Sequence, residues 1–139
     1  MKGFIEIKEL NEKNRIVLPG FIEEKTKINF YSIYEDFISM YTEDDFNEKL
    51  NELYQLKHDM LVNGTNPIDV NRLIFKLETD IIGCSYVQSQ NRLVIPSSIV
   101  DKFKLKKVVL VGTKDHIKLF PTEEKYNEFR ENVKLKKMK

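Results

Sequence analysis

The sequence of 139 residues is poor in the residues that mark several large classes of protein. It has one cysteine, so no disulfide can form within the chain, and too few glycines (five) and prolines (four) for a low-complexity segment. Its longest purely apolar run, residues 108–111, is far shorter than the roughly 20 residues of a membrane-spanning helix. The N-terminus reaches Glu6 before an apolar signal-peptide core could form. We therefore expect a cytoplasmic protein of one compact domain with no membrane partner.

Patterns typical of active sites and metal sites are also missing from the sequence. There is no glycine-rich phosphate loop and no Ser/His/Asp set, and neither His58 nor His116 has a second ligand at metal spacing. We therefore expect no catalytic residue, metal, cofactor or small-molecule substrate. Cys84 lies in a predicted strand without a neighbouring base, so we expect a small core residue rather than a reactive thiol.

The composition supports a folded core but gives little net charge. Hydrophobic residues make up 41% of the chain, and 23 basic residues nearly balance 22 acidic ones, for a net charge of +1. A charge so close to zero argues against strong nucleic-acid binding by a single copy. Four of the basic residues are arginines. Because lysine is the common cation here, an arginine marks a position where a planar, forked donor is favoured.

A hexapeptide that contains two of these arginines occurs twice. Residues 14–19 read NRIVLP, and residues 91–96, which lie 77 positions later, read NRLVIP. Arg15 and Arg92 therefore occupy equivalent positions in two copies of one segment. A repeat of this kind predicts two copies of one supersecondary unit.

Each copy has the pattern of a strand, a polar turn and a second strand that ends at proline. Alternating apolar and polar residues predict the first strand, and β-branched residues predict the second, so we expect a β-hairpin. Asn14 and Asn91 lie where such a turn needs a positive φ, which asparagine tolerates better than most residues. The proline at the end of each copy fits the first turn of a short helix. The expected segments are hairpins 4–10 with 15–18 and 81–87 with 92–95, and helices 20–26 and 97–103.

A second hairpin is expected in each copy, and helices are expected between and after the copies. The hairpins are residues 28–34 with 37–41 and residues 106–111 with 116–120. Thr42 caps a helix that ends at Asn63, Pro67 opens another, and Thr122 opens a last one. Two hairpins have too little apolar surface to form a stable sheet alone. We therefore predict an α+β fold in which two tandem repeats interlock into one pseudo-symmetric β-barrel with flanking helices.

The repeated segment resembles the MraZ family, whose members are tandem-repeat relatives of AbrB-like and SpoVT-type DNA-binding domains. Each half of that family has an Asp-x-x-x-Arg signature, then apolar-x-apolar-Pro, then a stretch that ends in Val-Val-Leu-Val-Gly. Arg15 and Arg92 match the signature arginines, and residues 108–112 read VVLVG. Asn11 and Gln88 stand where the family has aspartate, and Asn14 and Asn91 stand where it usually has glycine. The resemblance implies that the expected barrel is a double-split β-barrel.

The resemblance also implies a function. It implies a transcriptional regulator, not an enzyme, that forms a closed ring homo-oligomer on tandem promoter repeats of double-stranded DNA at division and cell-wall genes, and that is nucleoid-associated. The implied DNA-contacting residues are Arg15, Arg92, Lys13, Asn14 and Asn91, with Asn11 and Gln88 as signature-turn positions. The expected division of the single domain is a first repeat at 1–47, a helical connector at 48–79, a second repeat at 80–123, and a C-terminal helix with a basic tail at 124–139.

Two alternatives stay open at this point. The amides at Asn11 and Gln88 lack the carboxylate that could pair with an arginine, so the chain could instead be a ring-forming protein-interaction scaffold with weak or lost DNA binding. An AbrB-like antitoxin is the other alternative. Such antitoxins usually have one hairpin copy and a disordered toxin-binding tail, whereas this chain has two copies and a short tail.

Overall fold

The structure is a computed structural model that describes residues 3–34 and 36–138, without the side chains of residues 135–138. The basic tail predicted at the end of the segment 124–139 therefore lies largely outside the described side chains. The elements, in chain order, are β1 (Phe4–Glu9), β2 (Arg15–Val17), β3 (Lys27–Tyr31), β4 (Ile38–Thr42), α1 (Glu43–Val62), α2 (Ile68–Thr79), β5 (Ile81–Tyr86), a 3-10 turn (Ser89–Asn91), β6 (Arg92–Val94), α3 (Ser97–Phe103), β7 (Lys107–Gly112), β8 (Ile117–Phe120) and α4 (Glu123–Met138).

The strands form a six-stranded antiparallel sheet in the order β1-β7-β8-β4-β3-β5 and a separate two-stranded ladder of β2 with β6. This architecture confirms the predicted α+β class. The hairpins of β3 with β4 and of β7 with β8 are also confirmed. In both hairpins the two strands are close in sequence, so the local turn determines the pairing.

The predicted first hairpin of each copy is wrong, because its two strands pair with different partners. β1 pairs with β7 and β2 pairs with β6, while β5 pairs with β3. The ladders continue past the strand ends, where Leu10 N donates to Lys106 O (2.8 Å) and Leu18 N donates to Asn91 O (2.8 Å). Each polar turn therefore takes the chain from the large sheet to the small one.

The main core lies between the two sheets. Ile16 and Leu93 from the short ladder are buried against side chains of the large sheet such as Phe30 and Leu110. A second cluster joins the large sheet to α1 and α2 through Tyr31, Leu53, Ile74 and Leu77, among others. A third cluster packs α4 on the sheet through Phe37, Phe120, Tyr126 and Phe129.

The three long helices begin where the sequence predicted, and α1 also ends where predicted. Thr42 Oγ1 accepts a hydrogen bond from Asp45 N at 3.1 Å, and α1 ends at Asn63. Pro67 precedes α2, and Thr122 Oγ1 accepts from Lys125 N at the start of α4. Capping hydroxyls satisfy backbone donors that have no partner within a helix.

Only one of the two short helices after the prolines forms. The second copy has α3 as predicted, but residues 20–26 of the first copy form turns, so that prediction is wrong. Lys25 has a φ of 68°, which a helix does not accommodate. Its backbone N–H donates to Val87 O at 2.7 Å, and Val87 N donates to Thr26 O at 2.9 Å. These bonds to the end of β5 replace the bonds of a helix.

Cys84 is exposed on β5, an edge strand of the large sheet, so its predicted place in the core is also wrong. The strand alternates, and the exposed positions include Cys84 and Tyr86. Among the described residues, no helix is both long and apolar enough to cross a membrane.

Candidate nucleic-acid interface

The two copies of the repeated hexapeptide meet in the ladder of β2 and β6. Ile16 lies opposite Leu93, with Arg15 opposite Val94 and Val17 opposite Arg92. Successive side chains of a strand point to opposite faces, and paired residues share a face. Ile16 and Leu93 are buried in the core, so the four flanking side chains lie on the outer face.

Arg15 and Arg92 are therefore diagonal neighbours on this outer face, which we call the ribbon face (Arg15, Val17, Arg92, Val94). Diagonal positions of an antiparallel pair are about 7–8 Å apart. Val17 is 50% exposed, whereas both arginines are half-buried. The ladder brings together two cations that are 77 positions apart in the sequence.

The first turn is held by the side chain of Asn11. Its Oδ1 accepts hydrogen bonds from Lys13 N at 3.0 Å and from Arg15 N at 2.9 Å. The backbone closes the same turn, since Asn14 N donates to Asn11 O, and Asn14 has a φ of 58° as predicted. Asn11 thus orders the backbone before Arg15 and does not bond its guanidinium. An amide oxygen performs this role as an aspartate oxygen would.

The second turn is held differently. Gln90 and Asn91 both have positive φ values, of 60° and 56°, so the positive φ predicted for Asn91 is confirmed and a second one precedes it. Asn91 Nδ2 donates to Pro19 O at 3.1 Å, which joins the second turn to the first copy. Gln88 N donates to Arg92 O, while the exposed side chain of Gln88 makes no hydrogen bond within the described part of the chain.

Gln90 contacts a predicted site residue, and the sequence reasoning gave it no such role. Nη2 of Arg92 donates to Oε1 of Gln90, which fixes the direction of the guanidinium. The sequence pattern gave no signal for this contact, because Gln90 and Asn91 both have positive φ values in the turn and the alternation of a strand does not apply there. The first copy has Lys13 at the equivalent position, and its exposed side chain adds a third cation near the ribbon face.

The cations of this region keep their charge unneutralised. Across residues 3–34 and 36–138, Arg15, Arg92 and Lys13 form no ion pair with a carboxylate. Nε of Arg15 is buried without a hydrogen-bond partner in the same ranges. A guanidinium has five N–H donors, so both arginines retain donors for an external acceptor.

The ribbon face has the shape and chemistry of a nucleic-acid contact. A two-stranded antiparallel ribbon fits the major groove of B-form DNA. Arginine can bind guanine O6 and N7 through two parallel hydrogen bonds, or it can clamp a phosphate. Among the described residues no group of three or more His, Cys, Asp or Glu side chains could hold a metal ion.

Comparison with known proteins identifies relatives along nearly the whole chain. No protein-family model matches the sequence. The Transcriptional regulator MraZ of Mycoplasmopsis pulmonis (strain UAB CTIP) is 29% identical over 129 residues, which cover 91% of this chain and 82% of that protein. Proteins of the same name from Ureaplasma parvum serovar 3 and Ureaplasma urealyticum serovar 10 are 26% and 25% identical over 132 residues, which cover 88% of this chain and 82% of each relative.

The matched regions leave out only about a tenth of the chain. The similarity therefore extends over both copies of the repeat and the helices between them, and it confirms the resemblance identified from the sequence. The chain is therefore similar to the MraZ proteins over about nine-tenths of its length.

Proposed function

We propose that this protein is a DNA-binding transcriptional regulator that contacts tandem repeats in the promoter DNA of division and cell-wall genes through its ribbon face. The names of its relatives support a role in transcription. The diagonal pair of Arg15 and Arg92 supports DNA as the partner. Arg15 and Arg92 are the base- or phosphate-contacting groups, and Lys13 adds a phosphate contact.

The three asparagines of the turns have supporting roles in this proposal. Asn11 holds the first turn through its bonds to the backbone. Asn14 and Asn91 supply the positive φ values, and Asn91 also bonds the other copy. Asn14 and Asn91 directly precede the two arginines in the sequence, so we propose that they also contact base edges of DNA. Gln88 is a signature-turn position whose side chain makes no hydrogen bond among the described residues. Rigid presentation reduces the entropy that a flexible arginine loses on binding.

Assembly follows from the charge of the chain. A single copy has a net charge of +1 and two ribbon arginines, so it has few cations with which to neutralise the phosphates of DNA. A closed ring of copies engages several DNA repeats at once, and effective concentration multiplies the modest affinity of each contact. We therefore propose a ring homo-oligomer in the cytoplasm, associated with the nucleoid, that acts on DNA without enzymatic activity.

The strand pairings support the finer fold that the family implies. The pair of β1 with β7 is equivalent to the pair of β5 with β3, because β1 corresponds to β5 and β7 corresponds to β3 in the two copies. β4 and β8 correspond to each other, and they also pair. Leu18 N to Asn91 O and Ile95 N to Asn14 O are likewise equivalent bonds, both 2.8 Å long. We propose a pseudo-symmetric double-split barrel, with repeats at 1–47 and 80–123, the connector at 48–79 and the last helix and tail at 124–139.

The test compares two double variants that remove the same charge. Arg15→Ala with Arg92→Ala removes both ribbon arginines, and Arg72→Ala with Arg130→Ala removes two exposed arginines from α2 and α4. Fluorescence anisotropy measures affinity for a duplex that carries direct repeats. We expect the ribbon variant to lose about 30-fold or more, because each bidentate arginine contributes about 1–3 kcal/mol. Equal affinities for both variants would show that the arginines do not bind DNA.

One observation favours the alternative of a protein-interaction scaffold. Several large apolar side chains on the connector helices are exposed, including Val62 (71%) and Phe75 (68%). Apolar surface of this kind often marks a contact with another protein. A scaffold would form the ring, which light scattering detects, but it would show no salt-dependent binding to any duplex.

A further inference from the structure

A pocket of about 420 Å³ lies away from the ribbon face, where the connector helices and α4 meet the large sheet. Its walls come from the segment after β3, from α1 and α2, from the loop before β8 and from α4, and none of the proposed DNA-contacting residues lines it. Binding sites for small molecules are typically 300–1,000 Å³, with apolar walls and a few polar groups. This pocket has that size.

The walls are aromatic and aliphatic. Tyr34, Phe37 and Phe129 line the pocket together with Leu73 and Leu77 of α2. The ring centres of Tyr34 and Phe37 are 5.0 Å apart, and those of Phe37 and Phe129 are 5.5 Å apart in an edge-to-face arrangement. Aromatic walls favour a flat, apolar body, since ring faces and edges pack well against a planar ligand.

Lys118 lies among these rings, in a pocket that is also lined by Lys49 and by the carboxylates of Asp36 and Asp115. Nζ of Lys118 is 4.9 Å from the centre of the Phe37 ring and 5.4 Å from that of Phe129. Burial lowers the pKa of Lys118, and Asp115 opposes that shift. Lys118 has no ion pair with a carboxylate of the described chain. A half-buried ammonium is more stable with an anion beside it.

The nearby carboxylate of Asp115 is already engaged at both oxygens. Oδ1 contacts Nδ1 of His116 at 2.5 Å, and Oδ2 contacts Nζ of Lys49 at 3.2 Å. Asp115 therefore orients His116 and neutralises Lys49, and the charge of Lys118 is left for another partner.

His116 presents an acceptor. Burial lowers its pKa despite the opposing effect of Asp115, so the ring is neutral at pH 7. Because Nδ1–H donates to Asp115, Nε2 has the lone pair. Nε2 is buried without a hydrogen-bond partner in the described ranges. The ring also stacks on Tyr41 at 5.0 Å, which holds it in place. A buried polar atom of this kind calls for a donor.

We propose that this pocket binds a small planar aromatic acid. The carboxylate of the ligand contacts Nζ of Lys118, its ring packs among Phe37, Phe129 and Tyr34, and a hydroxyl or amine at its far end donates to Nε2 of His116. The proposal concerns a site separate from the ribbon face and is independent of DNA binding.

The test uses DNA-free protein and three probes that differ by one group. 4-Hydroxybenzoate has both the acid and the donor, benzoate lacks the donor, and phenol lacks the acid. In a titration followed by NMR, we expect saturable shifts of the His116 ring and of residues around Lys118 with 4-hydroxybenzoate. We expect benzoate and phenol to bind at least about 10-fold more weakly, which corresponds to the loss of about 1.4 kcal/mol.

Lys118→Met keeps the apolar stem over the rings and removes the charge, so we expect an affinity loss of about 10-fold or more. Lys102→Met is the matched control, since Lys102 lies over Phe103, 5.5 Å from its centre, but outside the pocket. Equal binding by both variants, equal binding of all three probes, or no saturable shift with any probe would overturn the proposal. Shifts at the pocket that follow protein concentration instead of probe would also overturn it, since a second copy would then occupy the pocket.

Discussion

At the scale of single residues, the two turns differ in how they support the arginines. Asn11 accepts two backbone hydrogen bonds before Arg15, whereas the side chain of Gln88 accepts none among the described residues. The second turn depends instead on the bond from Asn91 to Pro19 and on Gln90, which bonds Arg92. Replacement of the family's aspartate by an amide is therefore compatible with an ordered turn in the first copy. The difference follows the length of the side chain, since asparagine, like aspartate, can bond the backbone two residues on, whereas glutamine is longer by one methylene group.

Asn11→Ala is expected to destabilise the protein, and Gln88→Ala is its control. Loss of the Oδ1 acceptor leaves the N–H groups of Lys13 and Arg15 to water, which we expect to cost about 1 kcal/mol. Gln88→Ala removes no described side-chain bond, so we expect a change below about 0.5 kcal/mol. Urea unfolding measures both. An Asn11→Ala variant as stable as Gln88→Ala would contradict the role given to Asn11.

The stability of the protein is expected to depend on pH through His116. Burial lowers the pKa of His116 below its ordinary value of 6.5, so the unfolded chain binds the proton more readily than the folded one. Stability is therefore complete above the unfolded value and decreases as the pH falls through 6.5 towards the folded value. Asp115, Lys49 and Lys118 face this ring, and Asp115 keeps its charge in that range because contacts with His116 and Lys49 outweigh burial and lower its pKa.

His116→Gln tests this dependence, because glutamine can still donate to Asp115 but does not titrate. We expect the urea midpoint of the parent protein to fall between about pH 7.5 and pH 5.5, and that of the variant to fall less. A parallel decrease in both proteins would assign the pH dependence to other groups.

At the scale of elements, the sequence predicted what is local and missed what is not. The hairpins of β3 with β4 and β7 with β8, and helices α1, α2, α3 and α4, follow from turns and caps close in the chain. The partners of β1 and β2 lie in the other copy. Alternation of apolar residues identifies the buried face of a strand but does not identify its neighbour, so those pairings could not be predicted.

The same limit explains the missing helix at residues 20–26. The sequence there matches that of α3 at Ile22 and Lys25, but Lys25 bonds the end of β5, which local sequence does not encode. It also explains why the pocket could not be predicted, because Lys49, Asp115 and Phe129 converge from α1, the loop before β8 and α4. The ribbon arginines could be predicted, since the repeat marks them, but their diagonal placement required the pairing of β2 with β6.

Substitutions on the two faces of the ladder are expected to differ in their cost. Ile16 is 2% exposed, and Ile16→Ala removes apolar volume from the core between the sheets, which we expect to cost about 2–4 kcal/mol. Val17 lies on the ribbon face, and Val17→Ala should cost less than about 1 kcal/mol. Chemical unfolding of both variants measures the difference. Similar losses of stability for the two variants would contradict the burial of the Ile16 face and the exposure of the ribbon face.

At the scale of the whole molecule, each chain offers only a few cations for binding to DNA. Each chain is close to neutral, so the proposed binding to DNA would depend on where its cations lie and on how many copies engage at once. The apolar side chains exposed on the connector helices, such as Phe75, leave surface for contacts between chains. The proposed function depends on contacts between DNA and the ribbon faces of several copies in one assembly.

The salt dependence of DNA affinity tests that claim most directly. The logarithm of the association constant falls linearly with the logarithm of salt concentration, with a slope proportional to the number of phosphate charges neutralised. For the double variant at Arg15 and Arg92, we predict a slope shallower than that of the parent by up to about two for each bound copy, and a parental slope for the variant at Arg72 and Arg130. Identical slopes for the parent and the ribbon variant would contradict the account.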